Sequence, residues 1–263
     1  MKKLLIPIAF AVLAIPALLA QSAIEGTWKI DTSKVDFSKK PEVDVLQGGM
    51  FECKTCVPAI RVKADGTDQA VTGHPYYDTI AVTVVNDHEI KDVRKKNGKI
   101  VSTATTTVSA DGQTETTTFS DSSATNGGPP VTGKAAATRT AKGPAGSHAV
   151  SGSWVAKAIE GISDNAIVWT YKVSGNEVTM TNPTGQSYTA KLDGTDAPMK
   201  GDPGTSSVSV KMIGKNTIEE TDKRDGKVIG VWKMTVAADG KTAKGTSVDT
   251  LENRTSSYAV VKQ

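Results

Sequence analysis

The residues best suited to chemistry are Cys53 and Cys56, the only two cysteines in the chain, three positions apart. A C-x-x-C pair supports three kinds of chemistry. Its sulfurs can close a local disulfide, carry out thiol–disulfide exchange, or lend two thiolates to a metal. A disulfide needs Cα atoms within about 7 Å. Three steps of extended chain span roughly 10 Å, so Lys54 and Thr55 must turn for the bridge to close. Thiol exchange uses a pair at a helix N-terminus, where the thiol pKa is depressed. No helical periodicity surrounds this pair, and Pro58 follows it. The metal reading borrows His74, with Asp78 or His88 as a fourth donor. It requires residues 50–63 to fold against 68–79, which would set Cys56 opposite Pro75. The spacing matches no two-plus-two zinc pattern. A Cys53–Cys56 disulfide is therefore the expectation, and no metal ligand or cofactor is assigned.

Tyr76 and Tyr77 follow His74 and can serve either as an aromatic contact surface or as a cover for the end of a barrel. The chain has no nucleophile elbow, P-loop, dinucleotide fingerprint, H-E-x-x-H or EF-hand loop. No catalytic residue is assigned.

The elements that must position these side chains occur twice. Residues 62–121 align without a gap on 190–249, and 20 of the 60 pairs are identical. The identities fall on turns: D-G-T-D at Asp65–Asp68 and Asp193–Asp196, then G-x-P at Gly73–Pro75 and Gly201–Pro203. Asn97-Gly98 and Asp225-Gly226 mark hairpins, because Asn-Gly and Asp-Gly accept positive φ. Between the turns, apolar residues alternate with polar ones, Thr is frequent, and long helical periodicity is absent. The pattern predicts an all-β fold of two tandem antiparallel meander barrels, or strongly curled sandwiches. Closure into a barrel protects the edges of such short strands.

Preserved parity predicts that both copies bury the same face. On that face the first copy has Ser102, Ala104 and Thr106 where the second has Gly230, Trp232 and Met234. Trp232 and Met234 can fill a barrel, whereas the smaller set leaves room for a partly polar cavity unless neighbouring strands close it. Ser102, Ala104, Thr106, Tyr76 and Tyr77 are thus the candidate ligand-binding residues.

Lys2 and Lys3, an apolar run from Leu4 to Leu19, and the small residue Ala20 read as a signal peptide over 1–20. Pro7, Pro16 and the run's short length oppose a membrane span. Segment 21–142 then forms the first repeat, 143–151 a Gly- and Pro-broken linker, and 152–263 the second repeat. Removing Lys2 and Lys3 from the 31 basic residues leaves 29 against 28 acidic. That balance excludes the electrostatic footprint of a nucleic-acid binder. The expected address is secreted or periplasmic, with no membrane span after cleavage.

Each unit opens on G-x-W, at Gly26-Thr27-Trp28 and Gly152-Ser153-Trp154. This phrase resembles the start of lipocalin-like and avidin-like barrels, where the resemblance implies a Trp plugging the closed end. The chain from GTWKIDTSK through GHPYYDT, NGGPPVTGK and AKGPAGSHAVSGSW to NTIEETDKRDGK is also similar to an uncharacterised family of secreted bacterial tandem-repeat proteins. That likeness implies no activity. The leading expectation is a non-catalytic barrel protein binding a small, partly apolar ligand in its first repeat. One alternative is a structural or protein-interaction module of the cell envelope without a cavity. Another is a metal- or thiol-dependent activity at the C-x-x-C and His74.

Overall fold

The computed structural model describes residues 22–263, so the leader expected at 1–20 lies outside the described residues. These residues form twenty strands and one short 3-10 turn, Asp164–Ala166, arranged as two nearly closed antiparallel barrels. Neighbouring strands of the first barrel are, in order, Ile60–Lys63, Met50–Cys53, Glu42–Gln47, Gly152–Glu160, Val131–Lys142, Thr114–Asp121, Lys99–Val108, Glu89–Lys96, Thr79–Asn86 and Gln69–Ala70. The second repeats that plan with Ser187–Lys191, Glu177–Thr181, Val168–Ser174, Gly26–Asp36, Arg254–Lys262, Thr242–Asp249, Lys227–Val236, Thr217–Arg224, Ser207–Ile213 and Asp193–Pro198. No helix among the described residues is long and apolar enough to cross a membrane.

The barrels are not drawn from the contiguous segments 21–142 and 152–263. Each takes its G-x-W strand from the other half: Gly26–Asp36 sits in the second barrel, and Gly152–Glu160 in the first. Residues 143–151 consequently join two neighbouring strands of one barrel instead of linking two units. The chain crosses between barrels at 37–41 and again at 161–167. The exchange shortens one closure and lengthens another, since Gly26–Asp36 pairs with Arg254–Lys262 at the far end of the chain. The strand Gly152–Glu160 reaches Val131–Lys142 through a short loop, whereas Gly26–Asp36 would have to close about a hundred residues to reach the same place. The duplicated G-x-W phrase lets either strand fill either slot.

The shared parity is realised. Val82 lies opposite Asp92 and Val210 opposite Glu220, and both valines are fully buried. Asn97-Gly98 makes the tight hairpin with φ of 51° and 75°, and Asp225-Gly226 matches it at 51° and 78°. A bulge follows each turn, at Val101 opposite Arg94 and Lys95 and at Ile229 opposite Asp222 and Lys223. It breaks the alternation, so Ile100 and Val228 face solvent although parity alone would bury them.

The first D-G-T-D does not close a hairpin. Its flanking strands lie on opposite edges of the sheet, and it carries the chain across the barrel seam. There Asp65 bridges Thr83, and the Gly66 N–H donates to the Val82 carbonyl at 2.8 Å. Ser187 and Lys200 exchange backbone hydrogen bonds of 3.0 and 2.9 Å at the second seam.

A buried Trp sits in the core of each barrel. The Trp154 indole donates to the Val150 carbonyl at 2.9 Å, and the Trp28 indole donates to that of Ile24 at 2.7 Å. A cation covers each ring: the Arg139 guanidinium lies 4.0 Å from that of Trp154, and the Lys262 ammonium 5.1 Å from that of Trp28. Around Trp154 pack Leu46, Ile60, Ile80, Val82 and Val108, forming the apolar layer beneath the candidate site.

Candidate functional site

Cys53 and Cys56 form the expected disulfide, with Cα atoms 5.5 Å apart. Met50–Cys53 pairs with Ile60–Lys63 and not with residues 68–79, so Cys56 does not lie opposite Pro75. The ring of His74 instead stacks on Tyr77 at 4.9 Å, and its Nδ1 is 3.2 Å from the Tyr77 hydroxyl. Burial, and then the charge of Arg94, hold the imidazole below its ordinary pKa. Both sulfurs are committed to the bridge. So small a loop stabilises by about 2 kcal/mol. The double variant Cys53→Ser/Cys56→Ser is therefore expected to fold, with a slightly lower urea midpoint and an unchanged slope. A loss of cooperative unfolding would show that the bridge holds more than its own loop.

The two barrels share strand order and register, so each interior position of one has a counterpart in the other. Lys99–Val108 corresponds to Lys227–Val236, which sets Ala104 against Trp232. Ala135 lies opposite Thr117, and Tyr258 opposite Gly245, so Ala135 takes the place of Tyr258. Glu42 pairs with Trp154 as Trp169 pairs with Trp28, and Asp44 pairs with Gly152 as Tyr171 pairs with Gly26. Four aromatic positions of the second barrel are thus two alanines and two acids in the first.

The aromatics fill their barrel. Trp169 meets Trp232 edge-on at 5.4 Å, Tyr171 lies 6.3 Å from Trp232, and the Trp232 indole donates to the Tyr258 hydroxyl. A pocket of about 190 Å³ remains beside them. In the first barrel the same region is a cavity of about 300 Å³. Its apolar wall includes Ile80, Val82, Ile90, Ala104 and Ala135, and its polar wall Glu42, Asp44, Asp92, Arg94 and Glu115. Glu42 is solvent-exposed and marks where the cavity opens.

The acids are unusual for their burial. Asp44 is pushed up to about 7 by burial and then by Glu42, against the opposing charge of Arg94. Burial, then Asp44 and Glu42, push Glu115 up to about 8. Asp92 is also raised by burial, although the Arg94 Nε donates to it at 3.0 Å. The charge of Arg139 opposes the Glu115 shift only in part, and its three nitrogens donate to the carbonyls of Gly112, Ser151 and Ala149 and form no ion pair with Glu115. Three raised carboxyls in one concave site mark a functional candidate.

The five residues singled out by sequence divide between two sites. Ala104 and Thr106 line the interior cavity, and the Thr106 hydroxyl lies 2.9 Å from that of Thr117. Ser102, Tyr76 and Tyr77 line a separate cleft of about 460 Å³ where the barrels meet, with Asn182 and Gln186 contributed by the second barrel. Arg94 borders both spaces. Tyr76 also joins the barrels: its hydroxyl donates to Asp202 at 2.9 Å, and its ring lies on Gly204, its own counterpart in the repeat. Any side chain at Gly204 would collide with that ring.

Sequence reading missed Glu42, Asp44, Glu115 and Ala135. A signal existed in the alternation of Glu42-Val43-Asp44, which places two acids on one face of a strand. It gained meaning only once register set them against Trp169 and Tyr171. Compared by sequence, the chain matches no family model and no curated protein.

Proposed function

We propose that this protein is an exported, non-catalytic binding protein whose first barrel holds a small, partly apolar molecule. The observation that carries the reading is the replacement of Trp169, Tyr171, Trp232 and Tyr258 by Glu42, Asp44, Ala104 and Ala135 on one strand plan. The second barrel demonstrates that this plan packs well with aromatics. The first forgoes that packing and keeps a cavity open at Glu42. A cavity of this size sits at the lower end of those that hold small ligands, about 300–1,000 Å³. The disulfide, together with the leader-like residues 1–20, supports an oxidising compartment outside the cytosol. The junction cleft at Tyr76, Tyr77 and Ser102 is a second place where the same ligand or its polar tail could rest.

Ala104→Trp restores one missing aromatic and tests the reading. Native mass spectrometry of protein purified from the periplasm of its producing bacterium should show a bound small molecule on the wild type and none on the variant. Circular dichroism should show both folded. A folded variant that retains the adduct, or a wild type carrying none, would leave the envelope interaction module as the better account.

A further inference from the structure

We infer that the ligand of the first barrel is an organic cation, an ammonium-bearing molecule whose charged head lies among Glu42, Asp44 and Glu115 and whose body packs on the apolar wall. This rests on the binding reading above and adds the chemical class.

The charge of the cavity wall points this way. Four carboxyls line it, Glu42, Asp44, Asp92 and Glu115, against two guanidiniums. Arg94 donates to Asp92 at 3.0 Å, and Arg254 lies in ion-pair contact with Glu252 at 2.7 Å, although its Nε lacks hydrogen-bond geometry there. Glu42, Asp44 and Glu115 have no hydrogen-bond or ion-pair partner among the described residues, and the Asp44 Oδ1 is sealed from solvent with none. Burying an unpaired carboxylate is unfavourable, which applies to Asp44 and Glu115 and not to Glu42 at the open mouth. The fold does not require it, since Trp169 and Tyr171 occupy the counterpart positions of Glu42 and Asp44 in the second barrel. The unpaired acids are therefore explained by a partner that arrives from outside.

That partner is larger than a metal ion. Cation–oxygen bonds of about 2.0–2.6 Å bring the ligating atoms close to one another. Among the described residues, the only three candidate donors gathered within 4.8 Å are Glu42 and the sulfurs of Cys53 and Cys56, and those sulfurs are bonded together. The carboxyls are spread around a cavity of about 300 Å³ instead. An ammonium head donates over only about 2.7–2.9 Å, so it bonds one or two of these carboxyls and is held by the charge of the others, and Ile80, Val82, Ile90, Ala104 and Ala135 supply the surface for a hydrocarbon body.

Protonation should oppose such binding. Asp44 faces Glu42, Asp92, Arg94 and Glu115; Glu115 faces Asp44, Glu42 and Arg139; Arg254 stands at the wall. With Asp44 at about 7 and Glu115 at about 8 in the free protein, acidification neutralises the acceptors and weakens the cation's hold.

Three isosteric probes, phenethylammonium, 2-phenylethanol and phenylacetate, can be titrated into the full mature chain by ligand-observed NMR. The ammonium should bind at least about tenfold tighter than the alcohol at pH near 8, as expected for a charge meeting unpaired carboxylates. Phenylacetate should be the weakest. The preference should shrink toward pH 5, and Asp44→Asn/Glu115→Gln should remove it, bringing the ammonium's affinity down to that of the alcohol. Equal or tighter binding of the alcohol or the acid, or a preference surviving in the double variant, overturns the cation and leaves the cavity reading standing. If none of the three binds, both fall.

Discussion

Replacing Trp28 by Ala is expected to cost about 3–5 kcal/mol and to weaken the barrel that contains residues 168–262. The barrel of residues 42–142 should stay protected. Trp28 is fully buried, donates its indole proton to Ile24, and packs in one cluster with Tyr171, Val178 and Val260. Its removal leaves a cavity in the core, an unsatisfied carbonyl and the uncovered ammonium of Lys262 at once. Hydrogen exchange read by mass spectrometry reports where protection is lost. Two contiguous units would lose it in residues 42–142, next to Trp28 in sequence, whereas exchanged strands lose it more than a hundred residues away. Trp154→Ala should give the reciprocal pattern, exposing 42–142 and sparing 168–262. Exchange that rises around residues 42–142 in Trp28→Ala would overturn the strand assignment.

Much of this architecture is legible in the sequence, for identifiable physical reasons. Alternation fixes the face of a strand because its period is two, so Val82 and Val210 are placed inside before any coordinates are known. Asn97-Gly98 fixes a hairpin because both positions need positive φ. What alternation does not encode is which strand lies beside which. Gly26-Thr27-Trp28 and Gly152-Ser153-Trp154 are near-synonyms, so the repeat that revealed the plan also concealed the exchange. D-G-T-D misleads for a related reason: an Asp-Gly reversal accommodates a seam crossing as well as a hairpin. The site follows the same division. Ala104 is flagged by an ungapped alignment with Trp232, but Glu42 and Asp44 precede the gapless part, so their contrast with Trp169 and Tyr171 emerges only from strand pairing.

The same acids should make the unliganded protein most stable under mildly acidic conditions. For Asp44 and Glu115 the folded-state pKa, about 7 and about 8, lies above the ordinary values of 3.8 and 4.5. The folded chain therefore holds these protons over a range where the unfolded chain has released them. Their contribution is fully present below the unfolded values and is lost as pH rises through the folded ones. Each pH unit of separation corresponds to about 1.4 kcal/mol. Part of the Glu115 shift comes from Asp44, so the two titrations are coupled, and their joint loss between about pH 4.5 and 8 is on the order of several kcal/mol. In the second barrel Glu220 acts with the same sign. Burial, then Asp222, raise it well above its usual range while the Tyr188 hydroxyl donates to it at 2.5 Å. The half-buried Asp31 and the exposed Asp65, Asp111, Asp193 and Asp239 are held low by hydrogen-bond donors and titrate below this window. Urea unfolding across the range should thus show wild-type stability falling with pH, and a shallower fall in Asp44→Asn/Glu115→Gln because Glu220 remains. An ammonium ligand should flatten the wild-type curve in the same way, since it stabilises the ionised carboxyls that the empty cavity penalises. A stability profile rising from pH 4.5 to 8 would mean that these carboxyls are already ionised and solvated in the folded chain, and that the cavity needs no cation.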